Sequence, residues 1–301
     1  MPRRVAVVDI GSNTLKFSIT EVGASGDERV IDAHADTVRL GAGVAITGAL
    51  EPDRVERALV ALRHYELVAR AYAVEACIGV ATAALRTATN GNDLLDQIHR
   101  TTGWSVRVIS GEEEARLAFV GLASSLPTDQ DSLLVDIGGG STELIHVTSG
   151  AVSASESLNI GSGSLADRCF RSDPPGTAAL AEAVSDATGL LAGSTVLPQV
   201  TLPDVVFSGG NGQFLEAFAA WTEVSIPFAP DRFRDVLSRL AEIDSTRLAA
   251  FLNIAPERAR MLPAGAAIAM AVIERAAPGA IRAAPSGIRG GLVADWMTAH
   301  P

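Results

Sequence analysis

Asp136, Gly138, Gly139, Gly140, Ser141, Thr142 and Glu143 follow one another closely, between an apolar run ending at Ile137 and a second beginning at Leu144. A glycine turn lets backbone N–H groups approach and surround an anion, and the two hydroxyls add donors. Asp136 and Glu143 flank the turn with carboxylates. Such a set suits a phosphate held together with a divalent cation. An ordinary glycine hairpin carries the same residues, so this stretch alone does not decide between the two readings.

The stretch is repeated near the start of the chain. VVDIGSN-TLKFSI lies over LVDIGGGSTELIHV with Asp9 against Asp136 and Gly11 against Gly138, and Thr14 falls against Thr142 if one gap is allowed. Gly11, Ser12, Asn13 and Thr14 then form a second candidate phosphate turn. Two hairpins of one chemistry, one in each half, predict a clamp that closes on a phosphate from both sides. Asp9, Asp136 and Glu143 are the candidate acids for a cation. Whether both Asp136 and Glu143 hold metal, or one mainly orders the turn, stays open.

Four further positions carry candidate chemistry. Glu114 shares a helical face with Leu117, Ala118 and Gly121. An acid on an inward face lines a cleft and is raised toward the pKa of a useful base. Its neighbour Glu113 is spaced from Ser110 as in a capping box, and acids in a first helical turn are favoured by the helix dipole, so the acidic run also has a purely structural explanation. Arg86 lies one helical turn from Thr82. Arg39 stands beside Gly41 and Gly43, within reach of a phosphate or on the surface. Gly209 and Gly210 lie between a strand and a helix, where backbone N–H groups favour phosphate or nucleotide. Gly161 to Ser164 is another Gly/Ser loop, readable as an anion nest or as simple helix entry.

The elements that must position these residues are legible from periodicity. A strand, a turn and a returning strand are predicted within 5–22 and again within 133–147, with further strands at 30–34, 76–80, 106–109, 152–158 and 205–208, and helices at 52–71, 93–99, 165–170, 177–191, 213–221, 227–241, 245–251 and 262–275. The order is βββαβαβα, given twice. It predicts two α/β domains facing each other across a cleft, the first over 1–126 together with the C-terminal helix 287–301, and the second over 127–286. A chain of 301 residues that is 48% hydrophobic is long enough for two cores.

Composition narrows the partners. A net charge of −11 argues against a broad nucleic-acid or membrane surface, so an anionic substrate must be bound locally. Cys77 and Cys169 have no paired spacing, and the five histidines are scattered, so neither a disulfide framework nor a zinc site is expected. No apolar run approaches a membrane span and the start lacks the pattern of a signal peptide, which leaves a cytoplasmic location as the expectation.

The residues now on the page resemble a known family. DIGSNT at Asp9 to Thr14, VRLGAG at Val38 to Gly43, VATAALR at Val80 to Arg86, SGEEEARLAFVG at Ser110 to Gly121, DIGGGSTEL at Asp136 to Leu144 and the C-terminal SGIRGG are similar to motifs of the exopolyphosphatase and guanosine pentaphosphate phosphohydrolase family. The resemblance runs nearly end to end. It implies two ribonuclease-H-like domains, related to the actin, sugar-kinase and heat-shock-protein ATPase superfamily, and hydrolytic release of terminal phosphate from inorganic polyphosphate with Mg²⁺. By resemblance Glu114 orients or activates the attacking water and Arg86 lies beside the phosphate. It also implies that the last helix packs on the first domain and that the protein is a homodimer.

Three positions depart from the family pattern. Asn211 follows Gly209-Gly210 in place of threonine, Ser164 stands where an arginine is usual, and Gly290 stands where glutamate is usual. These bear on chain-length preference and nucleotide use more than on hydrolysis. The alternatives are hydrolysis of guanosine pentaphosphate, phosphate transfer from polyphosphate to a nucleotide, and a non-catalytic nucleotide sensor or actin-like assembly protein.

Overall fold

The computed structural model describes residues 2–23, 26–123, 126, 131–197, 204–222, 227, 229–284 and 287–300. Ser124, Ser125, Pro127 and Asp129 of the expected interdomain connection, Ser286 of the C-terminal motif and the side chain of Asn211 lie outside the described residues.

In the first half, β1 (Arg3–Ile10), β2 (Thr14–Val22) and β3 (Glu28–Thr37) are followed by α1 (Val44–Thr47), α2 (Pro52–Ala71), β4 (Ala76–Ala81), α3 (Ala83–Thr87), α4 (Gly91–Thr102), β5 (Val106–Val108) and α5 (Gly111–Val120). The second half opens with β6 (Ser132–Ile137), β7 (Thr142–Thr148) and β8 (Ala151–Leu158). Then come α6 (Ser162–Cys169), α7 (Thr177–Leu191), β9 (Asp204–Ser208) and α8 (Gly209–Thr222). The chain continues through α9 (Phe233–Glu242), α10 (Ser245–Leu252), α11 (Pro256–Ala259), α12 (Leu262–Ala276), β10 (Ala280–Ala284) and α13 (Ile288–Ala299).

Two five-stranded sheets result, ordered β3-β2-β1-β4-β5 and β8-β7-β6-β9-β10. In each, the first three strands form an antiparallel meander and the last two run parallel to the first. This is the ribonuclease-H-like arrangement, present twice. The central strands β1 and β6 are apolar on both faces, as strands covered on both sides must be.

One face of the first sheet, with Ala6, Val8 and Ile10, packs under α2 and α4. Pro52 opens α2, where its missing N–H costs nothing, and Gly103 closes α4 in the left-handed conformation. The equivalent face of the second sheet lies under α6, α7, α8 and α12.

The other two faces are covered by exchange. Helix α13, last in the chain, seats Leu292, Val293 and Trp296 against Val5, Val7, Val80 and Ile109 of the first sheet. Helix α5, which follows the first sheet in sequence, seats Ala115, Ala118 and Leu122 against Leu134, Ile145 and Val147 of the second. The two helices meet each other: a Cβ added to Gly291 would stand 2.1 Å from the Leu117 carbonyl oxygen, and one on Gly121 2.3 Å from that of Gly287. Arg116 clamps the contact with two hydrogen bonds to Asp295, of 3.1 and 2.6 Å. Among the described residues no helix is long and apolar enough to cross a membrane.

Candidate active site

Strand alternation aims the two aspartates. Val5, Val7 and Asp9 share the α13 face of β1, while Leu134 and Asp136 share the α5 face of β6. Both acids sit at strand ends, where each chain turns into its hairpin. The turns close alike, by Gly11 N–H to Thr14 O at 3.2 Å and Gly138 N–H to Ser141 O at 2.9 Å. Thr14 is therefore the counterpart of Ser141 with no gap, not of Thr142. The register also pairs Asp9 with Lys16 and Asp136 with Glu143, so the two hairpins carry opposite charges at one equivalent position.

A cleft between the sheets is lined by Asp9, Gly11, Ser12, Asn13, Thr14, Lys16, Thr82, Glu114 and, from the second half, Asp136, Gly138 to Ser141, Glu143 and Ser162. Glu114, Asp136 and Glu143 thus converge with Asp9 on one space. Burial pushes Glu114 up to about 7, against the pull of Arg86. Burial likewise raises Asp9 and Asp136, with Lys16 opposing in both cases. Glu143 is raised well above the ordinary range by burial and by the negative charges of Glu114 and Asp136.

Arg86 donates to Glu114 Oε2 at 2.6 Å and to the Ile109 carbonyl at 3.0 Å. Its guanidinium therefore orients Glu114 rather than lining the cleft itself. Ser110 caps α5 by accepting from the Glu113 N–H at 3.1 Å. Only this half of the expected box forms, because the Glu113 carboxylate pairs with Arg107 at 2.6 Å.

Other expected residues lie elsewhere. Arg39 pairs with Asp167 of α6 across the mouth of the cleft and does not line it. Thr142 points to the opposite face of β7 from Ser141 and Glu143, and its buried hydroxyl donates to the Ile160 carbonyl at 2.6 Å. The Gly161 to Ser164 loop is not a free anion nest. Its N–H groups at Ser162, Gly163 and Ser164 donate to the Gly138 and Gly139 carbonyls. Gly209 and Gly210 belong to the first turn of α8, which starts earlier than the expected 213. Gly209 has φ +61 and stands so close to Asp136 that a Cβ would be 2.7 Å from Oδ1, so a side chain there is excluded on both counts.

The hairpins touch. A Cβ on Gly139 would meet the Asn13 side chain at 2.4 Å and one on Gly163 would meet it at 2.3 Å, so Asn13 is wedged between two glycines of the other half. The cleft continues past Lys16 into a second chamber shared with Asp9 and Asp136 and lined by His34, Gly209, Gly287, Arg258 and Arg289. Burial lowers the pKa of both arginines. Arg289 donates to the Phe17 carbonyl at 3.2 Å, and the Arg258 guanidinium lies 4.9 Å over the Phe214 ring. Neither spacing nor motif marks Lys16, the only lysine of the sequence, or Arg258 and Phe214 as site residues. The hairpin register was the available signal for Lys16, since a cross-strand partner of Asp9 must share its face.

Among the described residues, no three of His, Cys, Asp and Glu gather tightly enough to cage a metal ion by themselves. The donor set nevertheless fits Mg²⁺, which takes one or two carboxylates and completes its sphere with phosphate oxygens and water. Asp9 Oδ1 is buried with no hydrogen-bond partner, an acceptor awaiting a cation or a donor.

Comparison with known proteins bears on the fold and the family. The sequence matches the model of the Ppx/GppA phosphatase family across residues 19–300. Exopolyphosphatase 2 of Mycobacterium tuberculosis is 37% identical over 183 residues, 57% of this chain and 56% of that protein, so the match spans little more than half of its length. Exopolyphosphatase 1 of the same organism is 26% identical over 96% of this chain and 87% of its own. The crystal structure of the Aquifex aeolicus member of the Ppx/GppA family, 27% identical, superposes with a TM-score of 0.77 over the whole of both chains. An exopolyphosphatase from Cytophaga hutchinsonii, 23% identical, reaches 0.87 over 99% of this chain and 98% of its own, a likeness of fold.

Proposed function

Since the chain belongs to the Ppx/GppA phosphatase family, we propose that it hydrolyses the terminal phosphoanhydride of inorganic polyphosphate. Water attacks the terminal phosphorus, its oxygen forms the new P–O bond, and the bond to the bridging oxygen breaks with the electron pair leaving on that oxygen. The products are orthophosphate and a chain one phosphate shorter. Glu114, buried and held by Arg86, accepts the proton of the attacking water. The N–H groups and hydroxyls of the two hairpins hold the phosphoryl oxygens from both sides, and Lys16 adds the single ammonium charge of the cleft. Mg²⁺, held by Asp9, Asp136 or Glu143, would supply positive charge to the phosphoryl oxygens.

The observation that carries this reading is the second chamber. Lys16, Arg258 and Arg289 continue the anion path beyond the reacting end, which a linear chain of phosphates can use and a lone terminal phosphate cannot. One feature favours guanosine pentaphosphate as a second reading. Phe214 beneath the Arg258 guanidinium, with Met261 and Leu262 beside it, forms a wall on which a base can stack.

Orthophosphate release from long-chain polyphosphate, guanosine pentaphosphate and ATP, each with Mg²⁺, separates the readings. Polyphosphate is expected to turn over fastest. Faster release from the pentaphosphate would favour the second reading, and no release from any of the three would overturn both.

A further inference from the structure

Glu143 differs from Glu114 in how it is held. Glu114 has a guanidinium partner, whereas Glu143 is 2% exposed and is held by hydroxyls. Its carboxylate accepts from the Ser157 hydroxyl, at 2.7 Å to Oε1, and from the Ser141 hydroxyl of the glycine turn. Ser157 is the residue directly opposite Glu143 in the β7–β8 pair, so both side chains leave the sheet on one face.

Ser157 also touches the helix that bears Glu114. A Cβ added to Gly111, the first residue of α5, would lie 2.4 Å from the Ser157 Cβ and 2.7 Å from its hydroxyl oxygen. Only a residue without a side chain lets the edge strand come up to the helix start at this point. The strand itself changes character here, since residues 151–155 are exposed and Ser157 is not. One small side chain thus sits between a carboxylate of the second half and the first turn of the helix carrying the other.

We propose that Ser157 is a positioning residue: its hydroxyl aims Glu143 into the cleft, and its seat on Gly111 sets the separation of Glu143 from Glu114. The proposal rests on the hydrolase reading for the reaction it serves, but not for the contact itself. A buried carboxylate that loses one of its two donors pays the desolvation of that oxygen and turns toward the remaining Ser141 hydroxyl, out of the reacting geometry.

The test is a double-mutant cycle in the full chain, with Ser157→Ala, Glu143→Gln and both together, read by steady-state kinetics on polyphosphate and by thermal unfolding. Ser157→Ala alone is expected to lower kcat by about 10- to 100-fold with KM changed by less than about threefold, the cost of a small misplacement of a reacting group. In the Glu143→Gln background the same change is expected to alter kcat by less than about twofold, because the hydroxyl acts through the carboxylate. Gly111→Ala, which keeps the hydroxyl but forces Ser157 away, is expected to reproduce the kcat loss. An equal loss in both backgrounds, or no loss in either, would overturn the proposal.

The unfolding arm does not depend on catalysis. Non-additive shifts in Tm support the contact and additive shifts overturn it. A wild-type protein that releases no phosphate from any substrate would refute the hydrolase reading, and the unfolding cycle would still decide whether Ser157 holds Glu143.

Discussion

Four carboxylates share one cleft, three of them buried and Asp136 half-buried, and the Arg86 guanidinium pairs with Glu114 alone among them. Asp9, Glu114, Asp136 and Glu143 are all raised, chiefly by burial. A carboxyl raised in the folded state favours folding while protonated. Its contribution is complete below the unfolded pKa and is lost as pH rises through the folded value. The unligated protein should therefore lose unfolding temperature between pH 5 and pH 8, and Glu114→Gln should flatten that decline, both by calorimetry. The same substitution should cut phosphate release by about 10²- to 10⁴-fold, the usual worth of a general base. If Glu114 takes the proton, kcat should rise with pH through about 7. Arg86 holds that value down, so Arg86→Met should move the rising limb to higher pH in a pH–rate profile. Glu114 was legible as an inward-facing acid because helical periodicity fixes its face. Lys16 was missed because an isolated lysine in a strand has meaning only once the register pairs it with Asp9.

At the scale of elements, the crossing of α5 and α13 joins the halves. Leu117 and Gly291 approach so closely that any side chain at 291 must displace one helix. Gly291→Val should cost about 1–3 kcal/mol in denaturant unfolding, the ordinary range for overpacking. Removing the exposed Arg116–Asp295 pair should cost far less, below about 1 kcal/mol. Most elements were readable where the period was strong: α2 and α7 match their expected limits residue for residue. Strand β10, Ala-Ile-Arg-Ala-Ala, was not, since alanine carries little strand preference and its parallel pairing with β9 is a long-range contact. The fate of Arg39 was equally hidden. Spacing placed it near glycines, but only the approach of α6 across the cleft supplies Asp167.

At the scale of the whole molecule, the two sheets close on each other through hairpin tips as well as helices. Asn13 lies between Gly139 and Gly163, and a methyl group at either glycine would meet it well inside contact distance. Gly139→Ala, whose added methyl would meet the Asn13 amide at 2.4 Å and its Cβ at 2.7 Å, should push the two hairpins apart and lower kcat in steady-state assays, because they no longer grip one phosphate.

The exchange of helices has a further bearing, on the order in which the chain is made. Val5 and Val7 leave the ribosome long before Leu292, Val293 and Trp296, which shield them. The second sheet has no such wait, because α5 precedes it. The growing polypeptide thus carries a bare apolar sheet face from the completion of the first sheet until α13 is made, a surface for chaperones to shelter. Its release completes both halves in a single event.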